Sequence, residues 1–202
     1  MAARRRAEQV EETRGKLIEA ARRAFAEKGY NAASMDDLTA AVGLTRGALY
    51  HNFGDKKGLL RAVIEQIDAE ILDQMHAAGQ QFTSKWHAFL AEAITYIEMS
   101  LEPEVQRIML LDGPAVLGDP SQWPNQTACL RTTADMLAIL IEEGTVKPVD
   151  TEAAAQLING AALNAALWIA ASDEPIAALP RAVDAFRLLM SGLLVNPLSS
   201  AH

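Results

Sequence analysis

The stretch that decides the fold is LTRGALYHNF, residues 44–53, in which a new helix begins directly after an interrupted one. Gly43 ends the preceding helical pattern, because glycine adopts the turn geometry that other residues resist. Thr45 belongs to the residue types that cap a helix at its N-terminus. A helix, a short turn containing glycine and a second helix form the helix-turn-helix motif, whose second helix enters the major groove of DNA. The pattern therefore predicts a DNA-reading helix over residues 46–53.

The sequence on both sides of this stretch is also helical in pattern. An apolar stripe predicts a first helix over residues 11–27, with Gly29 as its C-cap. Ser34 followed by two aspartates resembles a capping box and opens a short helix over residues 35–42. A continuous stripe predicts a long fourth helix over residues 56–78, capped by Asp55. Gly58 should weaken the first turn of that helix by about 1 kcal/mol relative to alanine.

The remaining chain repeats the helical period, and no segment alternates apolar and polar residues for long enough to indicate a sheet. Helices are expected over residues 84–101, 103–112, 125–143, 151–171 and 180–194, with a loop over residues 113–124. The prediction is an all-α protein with a three-helix helix-turn-helix DNA-binding domain over residues 1–56, of which 1–10 are disordered. The long fourth helix joins it to a second helical domain over residues 57–202.

The charge is divided unevenly along the chain, whose total is −8. Residues 1–61 carry 12 basic and 8 acidic side chains, net +4, whereas residues 62–202 carry 6 and 18, net −12. Such asymmetry suits a nucleic-acid-binding end, because DNA binding needs local positive charge that displaces counterions. The start of the chain is charged and lacks a secretory pattern, and the longest apolar run is too short to span a bilayer. We expect a cytoplasmic protein without membrane contact.

Six residues form the predicted DNA-contacting set: Thr45, Arg46, Gly47, Tyr50, His51 and Lys56. The hydroxyls of Thr45 and Tyr50 and the ammonium group of Lys56 suit phosphate oxygens. Arg46 suits either the edge of a guanine or a phosphate, and His51 is a second candidate for reading a base. The glycine of the set lets the backbone approach the DNA closely. The basic run at residues 4–6 is either a solvated tail or a DNA-contacting arm.

Catalytic and metal-binding patterns find little support in the sequence. Asp73 and His76 lie three residues apart on one helical face, but no third ligand has convincing spacing. Cys129 is the single cysteine and lacks a marked base partner. Neither the spacing of a phosphate-binding loop nor a GxSxG nucleophile elbow occurs. We predict no catalytic residues, no metal and no cofactor.

Residues 17–60 resemble the TetR (tetracycline repressor) family of regulators. Seven positions at fixed spacing carry the resemblance: Gly43, Thr45, Gly47, Tyr50, Phe53, Lys56 and Leu59. Thr39 and Val42 stand where alanine is common in the family, and Asn52 stands where histidine is common. These departures bear on base preference and leave the fold intact.

The resemblance implies a homodimer in which the last two long helices of each subunit form a four-helix bundle. The expected dimer interface consists of Ala162, Ala166, Val183, Phe186 and Met190. The resemblance also implies a pocket in the middle helices for a small, mostly apolar effector. The candidate lining residues are Trp86, Phe89, Tyr96, Met99, Met109, Trp123, Met136, Asn164 and Trp168.

Together these features predict a sequence-specific transcriptional regulator that binds double-stranded DNA. The resemblance implies a homodimeric repressor, with a pseudo-palindromic operator and an unidentified small molecule that releases it. Two alternatives stay open at this point. One is a regulator of the same fold that activates transcription or has no effector, and the other is an all-helical protein–protein interaction module.

Overall fold

A computed structural model describes the backbone of residues 2–196 and the side chains of residues 9–196. Nine α-helices lie within this described part of the chain: α1 (Ala2–Ala32), α2 (Met35–Ala41), α3 (Arg46–Phe53), α4 (Lys56–Gly79), α5 (Lys85–Glu98), α6 (Gly113–Leu117), α7 (Pro124–Glu142), α8 (Thr151–Ala170) and α9 (Pro175–Ser191). Short 3-10 helices cover Met99–Leu101 and Pro120–Gln122, and a π-helix covers Val105–Asp112. The predicted all-α fold class is confirmed.

Helix α1 begins earlier than the sequence pattern indicated. It starts at Ala2 instead of near residue 11, so the backbone of the predicted disordered tail is helical from residue 2. The reason is local, because alanine, arginine and glutamate fill this stretch and all three favour helices. Gly29 interrupts the helix with φ 76° and ψ 164°, in agreement with its expected role as a helix end. The side chains of residues 4–6 lie outside the described residues.

The chain forms two compact units, and the division falls within α4. The first unit contains the described residues up to Asp68 together with Pro103–Gly118. Its interior includes fully buried side chains from several helices: Leu17, Phe25, Leu49, Leu59, Leu60 and Ile108. The second stretch packs against α1, where Arg22 donates two hydrogen bonds of 2.7 Å to Glu104. The functional boundary at residue 56 stays a prediction.

The segment over residues 113–124 is more ordered than the predicted loop. The π-helix Val105–Asp112 continues directly into α6, and a 3-10 turn follows at Pro120–Gln122. Pro114 lies in the first turn of α6, directly after the π-helix. Proline content alone therefore gave the wrong expectation for this segment.

The second unit contains Ala69–Glu102 and the described residues from Asp119 onward. Its most buried large side chains are Trp86, Ile97, Leu137, Leu140, Ile169 and Met190. Helix α8 is long and apolar enough to cross a membrane by length and composition, but the core helix of a soluble protein passes the same test. Seven residues of α8 are buried within this unit, which is the role of a core helix.

The last helix begins at Pro175, so the predicted start at residue 180 is wrong. Pro175 occupies the first turn, and Pro180 lies inside the helix. An interior proline removes one backbone hydrogen bond. Pro180 is exposed, so water can reach the backbone at this point. Proline position alone could not distinguish the two possible starts.

Candidate DNA interface

The two helices of the motif, α2 and α3, begin at the N-cap residues that the sequence predicted. The hydroxyl of Ser34 accepts hydrogen bonds from the backbone N–H groups of Asp36 and Asp37 at 3.2 and 3.4 Å. The hydroxyl of Thr45 accepts one from the backbone N–H of Ala48 at 3.2 Å. Gly43 has φ 67°, a left-handed conformation that glycine adopts without strain. Local sequence therefore fixes where each helix of the motif begins.

Helix α3 is anchored to the first unit by one buried side chain and by an arginine from α1. Leu49 is fully buried. The guanidinium carbon of Arg14 lies 4.8 Å from the ring centroid of Phe53, and its Nη1 donates to the carbonyl of Asn52 at 3.4 Å. A cation at the C-terminus of a helix is favourable because the free carbonyls concentrate negative charge there. Arg14 was not among the predicted site residues, because it lies far from α3 along the chain and no local pattern connects the two.

The side chain of Asn52 turns back onto its own helix. Its amide nitrogen donates to the carbonyl of Ala48 at 2.7 Å. Asn52 is half-buried. This departure from the family pattern therefore has a structural partner within α3.

Five of the six predicted DNA-contacting residues lie exposed together at the start and on one side of α3: Thr45, Arg46, Gly47, Tyr50 and His51. Their spacing along the helix explains this, since residues four apart share a face. Tyr50 is 51% exposed although its ring is large and largely apolar. Such a ring in solvent, with a terminal hydroxyl, suits a surface that is covered by a polar partner. Their individual roles stay predictions.

Arg46 is paired with an acidic residue of α2. Its Nε donates to Oδ1 of Asp36 and its Nη2 donates to Oδ2, so the two groups meet edge to edge. Both side chains are more than half exposed. The hydrogen bonds that Arg46 donates to Asp36, together with the charge of that carboxylate, raise the pKa of Arg46 above its usual value. The sequence pattern gave no sign of this pairing, because Asp36 stood only in the stretch that opens α2.

Lys56 differs from the other five because it is half-buried. Its ammonium nitrogen lies 4.4 Å from the ring centroid of Tyr30. Burial lowers the pKa of Lys56, and the charge of Asp112 partly opposes this. The backbone N–H of Tyr30 in turn donates to Asp112 at 2.7 Å. To bind a phosphate, the ammonium group of Lys56 would either leave the ring of Tyr30 or bind the phosphate while it stays beside that ring.

Two helical glycines near the motif differ in the space that surrounds them. A Cβ atom added at Gly58 would lie 2.0 Å from the carbonyl oxygen of Phe53, so no side chain fits there. A Cβ atom added at Gly47 would meet only the hydroxyl of Thr45, at an ordinary 3.6 Å. Gly58 is thus required by the fold, which corrects the view that it is simply a weak position. Among the described residues none leaves too little room for a side chain at Gly47, and its close approach to DNA stays a prediction.

The predicted dimer-interface residues are buried inside their own subunit. Five side chains are at most 7% exposed: Ala162, Ala166, Val183, Phe186 and Met190. They pack in the core of the second unit and are not available to a second subunit. The periodicity correctly indicated a buried face, but that face is buried by α5, α8 and α9 of the same chain. This part of the sequence prediction is wrong.

The nine predicted pocket residues do not form one set in the structure. Met109 belongs to the core of the first unit. Asn164 and Trp168 are exposed on α8, and Trp168 lies against the guanidinium of Arg181 at 5.5 Å. Trp86 lines an open cleft of about 270 Å³ together with His87 and residues near the end of α9. The remaining predicted residues are buried or half-buried in the second unit: Phe89, Tyr96, Met99, Trp123 and Met136.

Comparison with known proteins connects these features to a family. The model for bacterial regulatory proteins of the tetR family matches residues 17–63, and the model for the tetracyclin repressor-like C-terminal domain matches residues 86–193. The chain is 28% identical to the transposon Tn10 TetC protein of Escherichia coli, over 76% of this chain and 78% of that protein. It is 32% identical to the transcriptional repressor AcnR of Corynebacterium glutamicum, over 50% of this chain and 52% of AcnR.

A solved structure extends the similarity over nearly the whole chain. A TetR-family transcriptional regulator of Pectobacterium atrosepticum is 47% identical, with a TM-score of 0.85, covering 94% of this chain and 97% of that one. The family models together cover both the helix-turn-helix region and the helices that follow it. The chain therefore belongs to the TetR family and is a DNA-binding transcriptional regulator.

Proposed function

We propose that this regulator is a homodimeric repressor that reads a pseudo-palindromic operator with the exposed side of α3. The observation that carries the proposal is the arrangement of α3 itself. Its buried Leu49 fixes the helix, while Arg46, Gly47, Tyr50 and His51 stand exposed together. A protruding helix of this kind fits the major groove, and its exposed polar residues supply donors for phosphates and base edges.

The six DNA-contacting residues divide by chemistry. Thr45 and Tyr50 bind phosphate oxygens of the DNA backbone through their hydroxyls, and Lys56 adds a positive charge beside Tyr30. Arg46 and His51 face base edges, where arginine recognises guanine O6 and N7 with two hydrogen bonds. Gly47 has no side chain, so the backbone of α3 can approach the major groove closely at this position.

The dimer surface we propose is the exposed apolar side of α8 and α9. Four aliphatic side chains of these two helices are 69–81% exposed, Leu157, Ile176, Leu188 and Leu189, and the charged Arg181, Asp184 and Arg187 are exposed on α9 as well. Trp168 adds a further large ring at 44% exposure. Apolar groups clustered on the surface of a soluble protein mark an interaction site. A second copy presents the same surface, and a two-fold axis makes it complementary to itself.

Two-fold symmetry then determines the form of the operator. Each subunit presents one α3, so two half-sites related by an inverted repeat are read together. Because a DNA-binding regulator must reach its operator, we place the protein in the cytoplasm. We propose no catalytic role for any residue.

The effector is proposed to be a small, mostly apolar molecule that binds among the helices of the second unit. Buried and half-buried aromatic and methionine side chains in that unit support this, with Phe89, Tyr96 and Met136 among them. Sites of this composition take apolar ligands and orient them with few polar groups. The effector must bind the DNA-free form more tightly, since only a difference in affinity can release the operator.

The test begins with DNA from the region upstream of the regulator's own coding sequence and with a pool of random duplexes. The full-length protein should retard a subset of duplexes at low salt, and sequencing of the retained pool should return an inverted repeat. Replacement of Tyr50 by alanine should weaken binding to all retained duplexes. Failure to retain any duplex at low salt would contradict the proposal. Retention without an inverted repeat would contradict its dimeric form.

The effector part is tested separately with a set of small aromatic and aliphatic compounds. A compound that raises the melting temperature of the free protein should also release the retained duplex. If stabilising compounds leave the complex intact, the regulator acts without an effector of this class.

A further inference from the structure

Helix α2 begins with two adjacent carboxylates, and only one of them is directed to the reading helix. Asp36 binds the guanidinium of Arg46 through both of its oxygens. Asp37, the next residue, is exposed, and its backbone N–H donates to Ser34 as that of Asp36 does. The two residues therefore have nearly the same place in the chain and the same role in capping α2. They differ in the contact with α3.

The contact occupies one edge of the guanidinium and leaves another free. A guanidinium has five N–H donors in one plane. Asp36 takes the Nε donor and one donor of Nη2. Both donors of Nη1 and the second donor of Nη2 remain. The edge formed by the two terminal nitrogens has the spacing that recognises O6 and N7 of guanine.

Stability does not account for this pair. The side chains of Arg46 and Asp36 are 58% and 61% exposed. Exposed ion pairs contribute about 0–1 kcal/mol, because water screens them and both side chains lose freedom. A carboxylate close to the reading helix also repels the phosphates that the helix must approach. A benefit in recognition would offset that repulsion.

We propose that Asp36 is a specificity-determining residue that positions Arg46 for guanine. Its carboxylate fixes the plane of the guanidinium and directs the terminal edge outward from α3. It also occupies the Nε edge, so that this edge does not bind a phosphate. An arginine held in this way loses less conformational freedom when it binds a base than a free one does. The proposal rests on the proposed function, in which α3 reads the operator.

The experiment compares full-length variants on an operator selected with the original protein. Each base pair is changed in turn, and affinities are measured by fluorescence anisotropy at several salt concentrations. The original protein should prefer guanine at one position of each half-site by about 5- to 150-fold, the range of one bidentate contact. Arg46→Ala should remove that preference.

Asp36→Asn should reduce the preference at the same position several-fold and leave the other positions unchanged. The freed guanidinium of each subunit should then bind a phosphate, so the slope of log affinity against log salt should steepen by about 0.9 per half-site, or about 1.8 for the dimer. Asp37→Asn is the matched control, because it removes the neighbouring charge without touching Arg46. It should leave the guanine preference as it is.

A double variant separates positioning from a general effect of charge. In an Arg46→Lys background, Asp36→Asn should leave base preference unchanged, since the ammonium group of lysine has no plane that a carboxylate could orient. Equal tightening of all duplexes by Asp36→Asn and Asp37→Asn, with the preference kept, would overturn the proposal. Melting curves of the free variants verify that each folds, and both aspartates are exposed enough for this to be expected.

The outcomes also distinguish this inference from the proposed function. If the original protein selects an operator but Arg46→Ala keeps every base preference, Arg46 does not read a base and the inference is overturned while the regulator stands. If the original protein retains no duplex at all, the proposed function itself fails.

Discussion

The exposed side of α3 and the exposed side of α8 and α9 are both uncovered in the single chain, but they expose opposite chemistry. Helix α3 presents charged and hydroxyl-bearing side chains, with Leu49 buried beneath them. Helices α8 and α9 present aliphatic side chains, with Leu188 74% and Leu189 69% exposed. The first surface keeps its groups hydrated until a polar partner replaces the water. The second exposes apolar area whose burial is favourable with almost any apolar partner.

This difference shows what each surface requires of its partner. Polar groups on α3 select among partners, because each donor needs an acceptor at the right position. Apolar groups on α8 and α9 provide affinity but do not depend on the direction of a contact. Binding through them is specific only when the shape of the partner matches. A second copy of the same chain is always available and meets this requirement by symmetry.

The largest effect is expected from a charge placed in the apolar surface. Leu188→Asp should convert the dimer to a monomer and weaken operator binding by at least about 30-fold, since a central interface residue contributes 2 kcal/mol or more and symmetry introduces the charge twice. Sedimentation velocity gives the oligomeric state. Val149→Asp is the control, because Val149 is also exposed, at 41%, but precedes α8. An unchanged dimer in Leu188→Asp would mean that another surface joins the subunits.

The same helix offers the opposite result two residues away, on its buried side. Phe186 is 3% exposed, so Phe186→Asp should unfold the subunit rather than only separate it. Circular dichroism distinguishes the two outcomes. A folded monomer from Phe186→Asp would restore the interface that the sequence predicted.

The sequence predicted the helix-turn-helix well because its determinants are local. Ser34 and Thr45 cap helices whose N–H groups lie two or three residues away. The pairing of Arg46 with Asp36 joins two helices across the turn, and the contact of Arg14 with Phe53 joins distant parts of the chain. No periodic pattern contains such contacts.

The dimer surface was misplaced for a different physical reason. Val183, Phe186 and Met190 recur at helical spacing, which shows that this side of α9 is buried but not what buries it. Helix α8 is apolar on most sides, so its outward side carries no distinct polar stripe. Only the packing of α8 and α9 shows that Leu157 and Leu188 remain exposed to solvent.

The two glycines near the motif sharpen the comparison within the polar surface. Gly58→Ala should destabilise the protein by about 1–3 kcal/mol, the usual cost of forcing an extra methyl group into a packed site. Gly47→Ala should leave the melting temperature equal or slightly higher, because alanine favours helices. It should nevertheless weaken operator binding, by about tenfold per half-site if each methyl group costs 1.4 kcal/mol at the groove. Unchanged operator affinity in Gly47→Ala would show that the DNA does not approach α3 at this point.

A smaller effect is expected when one hydroxyl is removed from α3. Tyr50→Phe keeps the exposed ring but loses the phosphate contact, which is a single hydrogen bond of about 0.5–1.5 kcal/mol. Affinity should fall by about 2- to 12-fold per half-site on every duplex, with base preferences and melting temperature unchanged. Anisotropy titrations on the operator and on its single-base variants measure both quantities. A change of preference at one base pair would assign the hydroxyl to a base edge instead.

The smallest effect concerns the support of α3 rather than its surface. Arg14→Ala removes the cation from the ring of Phe53 and from the C-terminal carbonyls of α3, at a cost of about 0.5–1 kcal/mol. Arg14→Lys should recover part of this stability, because an ammonium also interacts with an aromatic ring. Since Arg14 positions α3 without forming part of its outer surface, operator affinity should fall without a change in base preference. Urea titrations and anisotropy together test this, and a variant that kept full stability while losing affinity would place Arg14 on the DNA itself.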